Sequence, residues 1–193
     1  MSELRVLLGD DHAVLRQGLR KILEDRRDWR VVAEAGNGRD AVREALELKP
    51  EVAVLDIGMP ILNGIEATRQ IARRAPNVRV VILSMHSDQA YVTQAVHAGA
   101  RGYVLKESAG DELIEAIGTV AAGGTFFSPA VALLLTLTLY PLFRRGRRAL
   151  GVTSRSCVCV GSSYEEVTAR PDGSLALVRT GVVVDVGRAG RCV

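Results

Sequence analysis

The chain has 193 residues, a hydrophobic share of 48% and a net charge of +3, enough to bury a sizeable core in one full domain with a smaller second part. Through Gly124 it carries 16 Lys and Arg against 18 Asp and Glu, and beyond that 9 against 4, so the basic excess belongs to the C-terminal part alone. The three cysteines, Cys157, Cys159 and Cys192, all lie in that part, odd in number and without a histidine, which argues against both a disulfide framework and a tail zinc site. Met1-Ser2-Glu3-Leu4 has no basic region or long apolar stretch, so no export signal is expected and a cytoplasmic location is.

In chain order, the apolar run at residues 4–8 reads as a strand that delivers Asp10-Asp11. Residues 12–23 place Val14, Leu15, Leu19, Ile22 and Leu23 at helical spacing. A short strand at 31–35, a turn at Gly36-Asn37-Gly38 and a helix over 39–48, ended near Pro50, follow. Val52–Asp56 is an apolar run that closes on a carboxylate, the pattern of a strand buried on both faces of a parallel sheet, and Ile57-Gly58-Met59-Pro60 comes directly after it. Asn63 is expected to cap a helix through Ala75, stopped by Pro76. A strand at 78–83 runs into Ser84, and Asp88 is expected to cap a helix that ends at Gly99. Gly102–Leu105 leads into Lys106, and 109–122 reads as a fifth helix closed by Gly123-Gly124.

Five βα units predict an α/β fold over residues 1–123: a (βα)5, doubly wound, parallel five-stranded sheet of flavodoxin-like order, with its binding crevice at the carboxyl ends of the strands. Residues 124–150 read as an apolar linker with a basic end, and 151–193 as a separate, poorly defined tail. The 18 residues from Phe126 to Phe143 hold no charge and precede Arg144, Arg145, Arg147 and Arg148. Pro129 and Pro141 leave eleven of them unbroken, short of the roughly 20 that span a bilayer, so a core or linker helix is expected and a membrane segment is not. Leu175 to Val178 and Val182 to Val186 flank Thr180-Gly181 and suggest a hairpin.

The strand ends carry the chemistry. A strand-terminal Asp56 can serve as metal ligand, general base or covalent acceptor. With Asp10 and Asp11 at a neighbouring strand end, three carboxylates would repel one another unless a cation neutralised them, and hard oxygen donors suit Mg²⁺. Lys106 offers a point charge for an anion and Ser84 a hydroxyl donor, completing the parts that move a phosphoryl group. Taken singly, each residue has a plainer reading: Asp10-Asp11 as a helix cap, Ser84 as a turn serine, Lys106 as a solvated lysine. Their coincidence on one side of one sheet favours the site. His12, His86 and His97 are expected to lack an acidic partner at ligand spacing; His97 reads as solvated, and His86 lies near the site rim with no assigned role.

These residues carry a resemblance. Asp10-Asp11, Leu55-Asp56-Ile57-Gly58-Met59-Pro60 with Asn63-Gly64, Leu83-Ser84 and Gly102-Tyr103-Val104-Leu105-Lys106 make residues 4 to about 123 resemble a response-regulator receiver domain of two-component systems. Leu83-Ser84-Met85-His86 and the Gly-Tyr-Val-Leu-Lys stretch are similar to the NarL/FixJ-type, LuxR-class subfamily. The resemblance implies that Asp56 accepts phosphate from a sensor histidine kinase. It implies that Asp11, Asp56 and the backbone carbonyl of Gly58 hold Mg²⁺, with Asp10 assisting through water. Lys106 would pair with the phosphoryl oxygens, Ser84 would swing to bond one, and Tyr103 would turn inward behind it, switching the surface of the fourth helix, fifth strand and fifth helix. The chain would then be a self-modifying phosphoacceptor rather than a stand-alone enzyme, with a second copy of itself as partner on phosphorylation. Glu107 stands where many receivers have proline.

The output half departs from the family. Gly161 to Arg170 is similar to the scaffold helix of a LuxR-type helix-turn-helix, and Ser174 and Val178-Arg179 fall near its recognition helix. Pro171 and Gly173 interrupt that pattern, and Arg- and Gly-rich sequence of this kind is what a disrupted reading frame would produce. Two readings stay open: a receiver that signals by protein contact behind a degenerate tail, and a DNA-binding transcriptional regulator with a divergent output domain. A phosphatase of the aspartyl-nucleophile type is a remote third, because Gly58 stands where its general acid would be.

Overall fold

The computed structural model describes residues 3–128 and Val131, together with the backbone of three later strands. Strands β1 (Leu4–Gly9), β2 (Trp29–Ala35), β3 (Val52–Asp56), β4 (Arg79–Ser84) and β5 (Gly102–Leu105) alternate with helices α1 (Ala13–Glu24), α2 (Gly38–Leu48), α3 (Gly64–Arg74), α4 (Gln89–Ala98) and α5 (Asp111–Ala121). All strand pairs in this sheet are parallel, in the order β2-β1-β3-β4-β5, so the winding reverses between β1 and β3. The expected five strands gain a sixth: β6 (Phe126–Phe127) pairs in parallel with β5. Phe126 and Phe127 are buried, as is Val131, so the sheet runs past the Gly123 boundary; the apolar stretch opens as a strand, and Val131 beyond it is helical. Residues 132–154, which hold the rest of that stretch, lie outside the described residues.

Strand alternation divides the core into two layers. Val52 and Val54 of β3 point to the side covered by Leu19 and Leu23 of α1 and Leu113, Ile117 and Val120 of α5. Ala53 and Leu55 point to the opposite side, against Ala41 and Ala45 of α2, Ile71 of α3 and Val92 of α4. Each fully buried Val, Leu or Ile contributes about 1.5–3 kcal/mol. The caps follow the sequence closely. Asn37 and Asn63 accept from the backbone amides of Asp40 and Glu66 at 2.9 and 2.8 Å, and Gly99 closes α4 at φ 104°. Asp88 occupies the N-cap position of α4 but makes no capping bond there.

In the tail, β7 (Arg155–Val160), β8 (Ser163–Ala169) and β9 (Leu175–Arg179) form an antiparallel sheet in that order. The stretch that is similar to a scaffold helix is therefore the strand β8, and β9 occupies the place of the recognition helix. Leu175 to Val178, one arm of the expected hairpin, lie in β9, which pairs with β8; the other arm, Val182 to Val186, lies outside the described residues. The local reason is legible in hindsight. Gly161-Ser162 and Pro171-Asp172-Gly173, between the strands, are turn-forming sequences, and Tyr164, Val167 and Thr168 favour strand over helix. Among the described residues, no helix is long and apolar enough to cross a membrane.

Candidate functional site

Parallel register levels the carboxyl ends of the central strands. Gly9 sits opposite Leu55, Asp56 opposite Leu83, and Ser84 opposite Leu105. The residues one step further on, Asp10, Asp56, Ser84 and Lys106, are thereby carried to one edge of the sheet. Three glycines let the backbone close around them. A Cβ at Gly64 would stand 2.1 Å from the Asp56 carbonyl oxygen, and one at Gly38 would stand 2.0 Å from that of Leu62, so both helix starts abut the β3–α3 loop directly. A Cβ at Gly58 would stand 3.3 Å from Asp56 Oδ2, which places that backbone beside the carboxylate.

Asp10 and Asp56 are nearly buried, at 2% and 5% exposure. Lys106 bridges them: its Nζ lies 2.8 Å from Asp10 Oδ2 and 3.0 Å from Asp56 Oδ2. Burial opposes the ammonium charge, but the hydrogen bonds and charges of the two carboxylates outweigh it and hold the Lys106 pKa above the ordinary lysine value. Asp11 is exposed at the mouth of the crevice. The His12 amide donates to Asp10 Oδ1 at 2.8 Å, and its Nδ1 lies 2.8 Å from Asp11 Oδ1. The expectation that no acid sits at ligand spacing from a histidine is thus corrected for His12, because the turn after β1 folds the ring back over both carboxylates. Asp10, Asp11, His12 and Asp56 each place a ligand atom within 4.8 Å of the others. Arg16, not singled out from the sequence, donates to the Asp10 carbonyl and pairs with Glu34, bracing the loop from behind.

The donor set fits a hard divalent cation. Three carboxylates face one lysine, so the crevice carries uncompensated negative charge, and two of the three are held away from water.

Ser84 and Tyr103 are fully buried and meet at His86. The His86 amide donates to Ser84 Oγ at 3.0 Å, and Tyr103 Oη donates to the His86 carbonyl at 2.6 Å. The His86 ring stacks on Tyr91 of α4, with centroids 4.5 Å apart. Burial raises the Tyr103 pKa, although its hydrogen bond with Ser84 works the other way. His86 is the node that the sequence does not reveal, since it acts through its backbone. His97, by contrast, is exposed as expected.

Comparison with known proteins agrees with this geometry. Residues 6–118 match the model of the response regulator receiver domain. The chain is 42% identical over 130 residues to the transcriptional regulatory protein DegU of Brevibacillus brevis, covering 67% of this chain and 55% of that protein. It is 37% identical over 134 residues to the response regulator GacA of Pseudomonas aeruginosa, covering 69% and 63%. The chain thus spans about three-fifths of the length of these curated relatives. Among solved structures, a LuxR-family two-component response regulator from Aurantimonas superposes with a TM-score of 0.68 at 38% identity, covering 72% of this chain and 99% of that one. A LuxR-family DNA-binding response regulator from Staphylococcus aureus gives 0.59 at 31% identity, covering 61% and 98%. With an acidic crevice at the switch point of a doubly wound sheet and a family match over more than half its length, the chain belongs to the response-regulator receiver family of two-component systems.

Proposed function

We propose that the chain is a phosphorylation-controlled response regulator whose Asp56 takes a phosphoryl group from a phosphohistidine of a sensor histidine kinase. The Lys106 bridge carries this reading: one ammonium holds together two nearly buried carboxylates at the ends of β1 and β3. In the transfer, an Asp56 carboxylate oxygen bonds to phosphorus, the phosphorus–nitrogen bond breaks, and the imidazole leaves with the bonding pair. Asp56 is held for attack by β3 behind it and by the Gly64 contact that fixes its carbonyl. Lys106 then pairs with the phosphoryl oxygens that gather where its carboxylate partners now lie. Asp11, Asp56 and the Gly58 carbonyl would hold Mg²⁺, with Asp10 contributing through water. When bound, the ion neutralises the carboxylates and the developing phosphoryl charge. Ser84 reaches the phosphoryl oxygens by giving up its bond to the His86 amide, and Tyr103 follows through the His86 carbonyl, re-setting the β4–α4 loop.

The domain boundaries proposed are a receiver over 1–123, a linker over 124–150 and an output region over 151–193. The chain acts in the cytoplasm as a phosphoacceptor, not a stand-alone enzyme, with a second copy as partner once phosphorylated. The names of relatives such as DegU support control of transcription as the output. Direct DNA contact is the second reading, and a duplex-shift assay across a salt series tests it. For the main reading, the test is phosphate uptake from acetyl phosphate with Mg²⁺. The parent incorporates phosphate and the Asp56→Asn variant incorporates none while keeping its fold; labelling that persists in the variant refutes the assignment.

A further inference from the structure

The loop from β3 to α3 contains Ile61 at φ 68°. The Leu62 amide donates to the Pro60 carbonyl at 2.7 Å, which closes a γ-turn around Ile61. γ-Turns of positive φ are rare and strained, and a β-branched residue suits them least. The turn cannot relax, because the chain on its far side is clamped: Leu62 lies against Gly38 and Gly64 against Asp56. The strained isoleucine also gains nothing from the core, since its side chain is 68% exposed. Strain of this kind persists where the surroundings impose it and where the residue serves something outside the fold.

Ile61 stands on a groove of about 540 Å³ between α2 and α3. Val42, Leu46 and Leu62 give it an apolar lining. Arg39 and Arg74 also line it, and among the described residues neither has an ion-pair partner. Arg43 shares its charge with Asp40 and Glu44, and Glu47 is the acidic residue of the lining. None of the crevice carboxylates borders this groove. Unneutralised arginines beside an apolar strip complement a helix whose apolar stripe is bordered by carboxylates. The 11 residues of α2 provide a track about 16 Å long, room for three turns of such a helix. The chain's own C-terminal part has the wrong charge for it, with 9 Lys and Arg against 4 acids.

We propose that the α2–α3 groove, headed by Ile61, docks an acidic amphipathic helix of a partner protein, at a site separate from the phosphoacceptor crevice. The test is fluorescence anisotropy on the full chain with two labelled peptides of about 18 residues. Both carry leucines at i, i+3, i+4 and i+7; one has glutamates beside them and the other lysines. The glutamate peptide binds the parent at least about tenfold tighter than its lysine twin, a difference lost or reversed in the double variant Arg39→Glu with Arg74→Glu. Ile61→Asn, which tolerates positive φ without the apolar side chain, loses about tenfold in affinity for the glutamate peptide while remaining as stable as the parent. Each variant still takes phosphate from acetyl phosphate, so failure here is separable from failure of the phosphoacceptor reading. Equal binding of the two peptides, binding of neither, or parental binding by Ile61→Asn overturns the proposal. Self-association of the parent that the arginine reversals abolish would assign the groove to a second copy and overturn it too.

Discussion

Replacing Lys106 with methionine keeps the aliphatic stem and removes only the charge. The ammonium lies 2.8 Å from Asp10 Oδ2 and 3.0 Å from Asp56 Oδ2, with its side chain 7% exposed. The variant leaves both carboxylates without their shared cation. Breaking a buried pair from one side costs about 3–5 kcal/mol, and exposed Asp11 lets water near the crevice, which points to the lower end, about 3 kcal/mol. In a domain of this size that lowers Tm by roughly 10 °C. The Lys106 pKa is raised above 10.5, so its contribution is complete below that pH and is lost as pH climbs through the raised value; a melt at neutral pH reads all of it. Adding Mg²⁺ separates this mechanism from a general packing defect. A cation replaces the missing positive charge, so the variant gains more thermal stability from Mg²⁺ than the parent, while its phosphate uptake from acetyl phosphate falls. A variant within about 0.5 kcal/mol of the parent, with an unchanged Mg²⁺ response, would refute the bridge as the element holding the crevice together.

Further consequences lie outside the crevice. Ser128 Oγ is buried, with its residue 2% exposed, and among the described residues has no hydrogen-bond partner, so Ser128→Ala raises stability by about 1 kcal/mol in denaturant titration. Gly64→Ala drives a Cβ to 2.1 Å from the Asp56 carbonyl oxygen; the loop must shift, costing about 3 kcal/mol and slowing phosphorylation together, whereas a silent substitution would contradict the close approach. Glu34 is held below its usual 4.5: burial opposes this, but hydrogen bonds from Arg20 and Arg16 prevail. Its contribution is therefore present above pH 4.5 and lost as pH falls through the lowered value, and Glu34→Gln flattens the acid limb of the stability curve.

What the sequence disclosed, and what it concealed, follows from the range of the forces. The five βα units are visible because each is set by its own periodicity and caps; Val52–Asp56 matches its predicted bounds, and Asn63 caps where expected. The crevice was legible because strand ends converge by topology, and topology follows from element order. Strand β6 was not, because two phenylalanines form a strand only by pairing with β5, a register set by residues over twenty positions earlier. His86 was hidden because its amide and carbonyl do the bonding, and any residue has those. Ile61 was hidden for the opposite reason: the turn calls for glycine-like φ and the residue there gives no sign of it. In the tail, Pro171 and Gly173 were legible as interruptions of the helix-turn-helix pattern, and they fall between β8 and β9; the strands themselves were hidden because they form only by pairing with one another.

Tyr103 is where the β4–α4 loop meets the first residues beyond α5. Its side chain binds the His86 carbonyl, so it holds the loop that also presents Ser84. Its backbone carbonyl accepts from the Ser128 amide at 2.9 Å, and its neighbour in register is Phe127. Tyr103, Phe127 and Val131 share one core cluster with Val92 and Ala95 of α4. A movement of the tyrosine ring therefore cannot stay local: close-packed interiors respond by discrete repacking, and the groups packed here include the first residues beyond α5. The residue whose side chain follows Ser84 in the proposed switch also accepts, at its backbone carbonyl, from Ser128 directly after β6. β5 thus joins the loop beyond Ser84 to the first residues that follow α5.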